Sequence, residues 1–166
     1  GEPPAVWDGH SYADAFTTTQ AAKDGGRDQL VVSQGAHVAQ RSVRFGPYLY
    51  IRTYHDGFHL FPKEMLFNLE QDPHETDDLA PQHPELCREG AWRLANWHDD
   101  QMWKMSQYAS DMVDPLWQVV ADGGPFHATH RPEDSPLPAY LRRLEETGRA
   151  DHAAALRERY GRFLEE

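Results

Sequence analysis

Four runs rich in β-branched and aromatic residues lie between residues 29 and 69, and the connections between them are short. Gln29–Gln34, Arg41–Phe45, Tyr48–Tyr54 and Met65–Leu69 read as strands. Gly46-Pro47 and His55-Asp56-Gly57 supply turn chemistry between them. A parallel pair needs a crossover of roughly a dozen residues or more, and none of these gaps reaches that length. The block is therefore expected to form an antiparallel meander of three or four strands.

Past Ala80 the period changes. Pro84 and Glu85 suit the first turn of a helix, where a missing N–H costs nothing and the dipole favours an acid. Leu86, Gly90, Leu94, Trp97 and Gln101 recur at helical spacing, with Ala91 and His98 beside them. One face of a helix over about 84–105 is expected to pack on the sheet. Asp114-Pro115 opens a shorter helix that Gly123-Gly124-Pro125 ends, and residues 125–135 read as a loop. Ser135 caps a helix running to Glu146, with Gly148 as its stop. Asp151 caps a last helix whose buried stripe is Ala153, Leu156, Tyr160 and Phe163 or Leu164. Arg142, Arg143, Arg149, Arg157, Arg159 and Arg162 read as a solvated face with local ion pairs. The fold class is α+β: a small antiparallel sheet covered by a long helix, with a helical C-terminal extension. The organisation is a lead-in segment over 1–28, a sheet-and-helix unit over 29–105, and the extension over 106–166.

The chain has 166 residues and a formal net charge of -11. That charge argues against a nucleic-acid or anionic-membrane partner. No run approaches the roughly 18 apolar residues of a membrane span. No basic segment followed by an apolar one opens the chain, and a start at Gly1 suggests a processed or excised piece. Cys87 stands alone, so an intrachain disulfide is impossible and cytosolic residence is favoured. Five Trp, seven Tyr and seven Phe are many bulky anchors for a chain with 39% apolar residues. Such residues fill a core and can cover a larger partner. Residues 106–166 are expected to cover a pocket mouth or to form a homo-oligomer interface.

Leu66-Phe67-Asn68-Leu69-Glu70-Gln71-Asp72-Pro73-His74-Glu75-Thr76-Asp77-Asp78-Leu79-Ala80 is the most informative segment for function. It resembles the closing signature of sulfatases, usually read as L-(Y/F)-(D/N)-L-x-x-D-P-x-E-x-x-N-L-A, with Asp78 where the family has Asn. Val43-Arg44-Phe45-Gly46-Pro47-Tyr48-Leu49-Tyr50-Ile51 resembles the sulfatase hairpin (V/I)-R-x-G-x-x-K-Y-I, with Leu49 in place of Lys. Trp7-Asp8-Gly9-His10-Ser11 resembles the D-G-x-S segment that precedes them in the family. In this segment Asp72 and Pro73 fix a turn, Glu75 caps the next one, and Leu69 and Leu79 are apolar anchors. The hairpin Arg, Arg44, is expected to make an ion pair with Asp72, with Glu75 or with a catalytic domain.

The resemblance implies a catalytic α/β domain of the alkaline-phosphatase type as the partner in the same protein. It also implies formylglycine and calcium in the complete enzyme. Neither is expected to be held by this chain. Cys87 lies in Leu-Cys-Arg-Glu-Gly, without the C-x-P-x-R context, and reads as a small apolar residue. Asp77-Asp78 and Asp99-Asp100 lack the context of the family's calcium ligands. The chain by itself is expected to be inactive, with no catalytic residue and no metal ligand of its own. The residues expected to line a substrate pocket are His37, Gln40 and Arg41, whose donors suit an anionic or polar ligand. The plainer reading of them is a hairpin with structural hydrogen bonds. His55 with His59, and His127 with His130, tempt a metal reading but lack a third ligand at a usual spacing. Two alternatives stand beside the sulfatase reading. One is the C-terminal part of a phosphodiester or phosphonate ester hydrolase of the same superfamily. The other is a freestanding binding module.

Overall fold

A computed structural model describes residues 13–16, 26–108, 113–131 and 133–164. The expected D-G-x-S segment at 7–11 lies outside the described residues. The fold is α+β. Strands β1 (Gln29–Gln34), β2 (Ala39–Phe45), β3 (Tyr48–His55) and β4 (Glu64–Asn68) form one antiparallel sheet in the order β1-β2-β3-β4. Helices α1 (Pro84–Tyr108), α2 (Pro115–Ala121), α3 (Leu137–Glu146) and α4 (Ala150–Tyr160) follow.

Pairing of Val31 with Val43, Val43 with Tyr50 and Tyr50 with Leu66 puts these side chains on one face of the sheet. That face packs on α1, which contributes Cys87, Gly90 and Leu94. Val43, Tyr50 and Leu66 are fully buried, each worth about 1.5–3 kcal/mol of apolar transfer. Gly90 sits where α1 crosses Tyr50. A Cβ there would lie 2.4 Å from the ring, so the helix approaches this closely only because position 90 has no side chain.

A second core lies in the C-terminal helices. Leu137, Leu141 and Leu144 of α3 meet Ala153, Leu156 and Tyr160 of α4. Phe58, from the β3–β4 connection, is buried among them. The connection reaches that far by holding Phe58 at φ 66° and Leu60 at φ 61°, a left-handed conformation that non-glycine residues rarely take. Asp56 holds it there: its carboxylate accepts the Phe58 N–H at 3.0 Å, and the Asp56 carbonyl accepts the His59 N–H at 3.0 Å.

Several expectations need correction. Asp151 does not cap α4, which begins at Ala150 with Arg149 as the preceding residue; Asp151 instead lies in the first turn. The arginine-rich helical face is not purely local. Arg157 pairs with Glu145 across the α3–α4 hairpin, and Arg159 reaches buried Asp56. Leu69 lies beyond β4 and is only half-buried; Leu66 is the core residue of that strand. The loop at 125–135 contains a short 3₁₀ turn at Phe126–Ala128.

Candidate functional site

The Leu66–Ala80 segment closes on itself. The Asp72 carboxylate accepts the N–H groups of Thr76 and Asp77 at 2.6 and 2.8 Å, and the Thr76 hydroxyl at 3.1 Å. These bonds hold its carboxyl below the usual range, the bond from Asp77 contributing most. Asp78 Oδ1 accepts the N–H of Leu66 at 3.0 Å and that of Ala80 at 2.9 Å, while the Leu79 N–H returns to the Leu66 carbonyl at 2.8 Å. The segment is therefore clasped to strand β4. Pro73 is exposed in the turn, and Leu79 packs partly against the sheet core. Glu75 acts through its backbone: it sits at φ 57° and donates to the Asp72 carbonyl at 3.2 Å. Arg44 is exposed on the other face of β2 and, among the described residues, makes no ion pair with Asp72 or Glu75. The carboxylate of Asp72 is occupied by Thr76 and Asp77 instead.

His37, Gln40 and Arg41 are not brought to one point, because adjacent strand residues face opposite ways. His37 is exposed in the β1–β2 loop and meets the His127 ring edge-on at 5.4 Å. Gln40 donates to the Thr53 hydroxyl at 3.0 Å. Arg41 is 4% exposed; its Nη2 lies 2.8 Å from both oxygens of Asp114, its Nε donates to Ser33 at 2.9 Å, and its guanidinium covers the Trp97 ring. Asp114 also caps α2 by accepting the Leu116 N–H at 2.9 Å. This buried pair ties β2 to α2. His98 joins it: its Nε2 accepts the Trp117 indole N–H at 3.2 Å and lies 3.4 Å from Asp114.

A second network joins the sheet to the C-terminal helices. Buried Asp56 is bonded by Arg159 and by the Tyr160 hydroxyl. Burial and that bond push the Tyr160 hydroxyl above its usual range. His55 and His130 stack at 5.2 Å, with His55 Nε2 3.1 Å from His130 Nδ1. The Gly57 N–H donates to His55 Nδ1 at 3.1 Å, so the proton of the neutral ring sits on Nε2 and is given to His130. Burial and the neighbouring His130 lower the His55 pKa to about 4. Burial, with Arg162 and Arg131 nearby, also lowers the His130 pKa, so both rings are neutral hydrogen-bonding groups near pH 7. Sequence reasoning missed this joint because its members lie more than seventy residues apart.

The described residues do not offer the groups that a sulfatase centre needs. Among the described residues, no group of three or more His, Cys, Asp or Glu side chains is placed to hold a metal ion. Cys87 is buried under Ala80, and burial raises its thiol pKa, the reverse of an activated nucleophile. Among the described residues, no helix is long and apolar enough to cross a membrane.

No family model matches the chain, and no curated protein matches it. Among solved structures, one similar chain comes from Bacteroides thetaiotaomicron. It is described under the metabolism of multiple glycosaminoglycans by a versatile core genetic locus, with a designation ending in "6S-sulf". The two share 27% identity over 47% of this chain and 18% of that one, with a TM-score of 0.35. This chain thus spans less than a fifth of that chain's length, and a TM-score so low carries no function across.

Proposed function

We propose that this chain is the C-terminal portion of a sulfatase-like enzyme, a sulfuric ester hydrolase. In this reading it packs on a catalytic α/β domain and completes that domain's substrate pocket. The observation that carries the reading is the Leu66–Ala80 clasp. The residues that spell the sulfatase closing signature are the ones that bind each other, Asp72 to Thr76 and Asp77, and Asp78 to Leu66 and Ala80. The departure at Asp78 is compatible with the reading, because an Asn carbonyl offers the same acceptor at the same place. Leu30 and Val32, at 47% and 54% exposure, lie on the sheet face away from α1, where a covering domain would bury them.

In the complete enzyme of this reading the catalytic domain would supply the formylglycine nucleophile and the calcium, whose chemistry would be attack on sulfur and charge withdrawal from the sulfate. This chain supplies shape and polar contacts. Of the three residues expected to line the pocket, His37 has an exposed edge beside His127 and is the one proposed to touch substrate. Gln40 and Arg41 face opposite ways, held by Thr53 and Asp114, and are proposed to fix the strand that follows the His37 loop rather than to touch substrate.

The test compares the chain alone with the full-length polypeptide, both with calcium, against a chromogenic aryl sulfate and an aryl phosphodiester. The expected result is no turnover by the chain alone and calcium-dependent sulfate release by the full-length protein, weakened by His37→Ala. Preference for the phosphodiester would move the reading to the phosphodiesterase branch of the superfamily. Inertness of the full-length protein toward both would favour a binding module.

A further inference from the structure

A cavity of about 410 Å³ opens between α1, β3 and α2. That volume lies in the range of small-molecule sites. Ala91 and Leu94 of α1 give it an apolar lining, and Tyr54 and Trp117 stand at it with their rings 5.0 Å apart at 59°. The indole is not free to swing, since its N–H is bonded to His98 at 3.2 Å. The charged lining is Arg41, Arg52 and Lys63 against one carboxylate, Asp99, in a chain of net charge -11.

These cations differ in what they have left to give. Arg41 is neutralised by Asp114 at 2.8 Å. Arg52 makes a longer contact with Glu64, 3.4 Å through one Nη, and a guanidinium has five N–H donors. Glu64 in turn already accepts the Tyr50 hydroxyl at 2.8 Å. Lys63 is exposed at the cavity edge. A larger cavity of about 800 Å³ beside Phe126 lacks this arrangement, because its cation, Arg131, is bonded to Asp122 at 3.0 Å and to the Ala121 carbonyl at 3.2 Å.

We propose that the cavity between α1, β3 and α2 binds an aromatic carboxylate. The ring lies on Ala91 and Leu94 against the Tyr54 and Trp117 rings, which reward a flat apolar ligand. The carboxylate meets the planar donors of Arg52, with Lys63 adding a point charge. The proposal needs only residues of this chain and stands apart from the sulfatase-like reading. A failure of turnover leaves it intact, and a failure of binding leaves that reading intact.

The test is calorimetric titration of the 166-residue chain with 2-naphthoate, using uncharged 2-naphthamide as the charge control. The expected result is saturable one-site binding of the carboxylate, about tenfold tighter than that of the amide, as a charge-assisted hydrogen bond requires. Trp117→Ala and Arg52→Gln should each weaken naphthoate about tenfold, while Arg131→Gln at the other cavity leaves it unchanged. Lys63→Gln, an exposed change that leaves the core untouched, should weaken it several-fold. Absence of saturable binding at millimolar naphthoate overturns the proposal. So does equal affinity for the amide, or an affinity indifferent to both Trp117→Ala and Lys63→Gln.

Discussion

Asp78 shows how a single side chain carries a motif. Its Oδ1 accepts two backbone N–H groups, from Leu66 and Ala80. Asp78→Asn keeps a carbonyl oxygen there, so it should shift stability by no more than about 0.5 kcal/mol. Asp78→Ala leaves both donors without that acceptor and should cost about 1–3 kcal/mol. Urea unfolding of the two variants separates them; equal losses would show that the acceptor is not what matters. His55 makes a different residue-scale prediction. Its pKa is about 4 in the folded chain against 6.5 for an unperturbed histidine. As pH falls below 6.5 the unfolded chain takes the proton first, so stability declines between about pH 6.5 and 4 and then levels. The group's contribution is on the order of 3 kcal/mol, full above pH 6.5. His55→Gln should flatten that part of the pH–stability curve; an unchanged slope would count against a neutral buried His55.

At the scale of the element, α1 and the sheet meet at Gly90 and Tyr50. Gly90→Ala would gain about 1 kcal/mol of helix propensity on a bare helix. Here the added methyl lies 2.4 Å from a fully buried ring, whose hydroxyl is fixed by Glu64. Overpacking of this kind costs about 1–3 kcal/mol, so the substitution should destabilise on balance. A thermal melt checks the sign, and a raised melting temperature would show that the helix can lift off the sheet without loss. The stripe over 86–101 marked the packed face of α1 in the sequence. Its true centre runs through Cys87, Gly90 and Leu94, and Trp97 turns to cover Arg41.

At the scale of the molecule, two hydrophobic cores share one joint. Phe58 leaves the sheet end and enters the α3–α4 core, while Asp56 beside it holds Arg159 and Tyr160. Phe58→Ala should cost about 3–5 kcal/mol by the usual loss of a buried aromatic. The loss should fall on α3 and α4 first, because the sheet core with α1 contains none of these residues. Hydrogen exchange reads this directly: protection should drop in α3 and α4 before it drops in β2 and β3. Uniform loss across both cores would mean that they unfold as one unit.

The four strands, the helix starts at Pro84, Pro115 and Leu137, and the turn at Asp72 were legible in the sequence. Each follows from local rules: β-branched runs, turn residues, proline at a first turn, a carboxylate that bonds its own backbone. The closing signature was legible for the same reason, since all its contacts lie within about fifteen residues. What the sequence could not place were the partners of its isolated charges and rings. Arg41 meets Asp114, His55 meets His130, and Asp56 meets Arg159 across separations of 73, 75 and 103 residues. Spacing along a chain carries no distance in space at that range, so only the packing of α2 on the sheet, and of α4 and the His130 loop on the end of β3 and the connection after it, decided which of them are buried pairs. It also separated His37, Gln40 and Arg41, neighbours in sequence that the pleat and the loop send to three different surroundings.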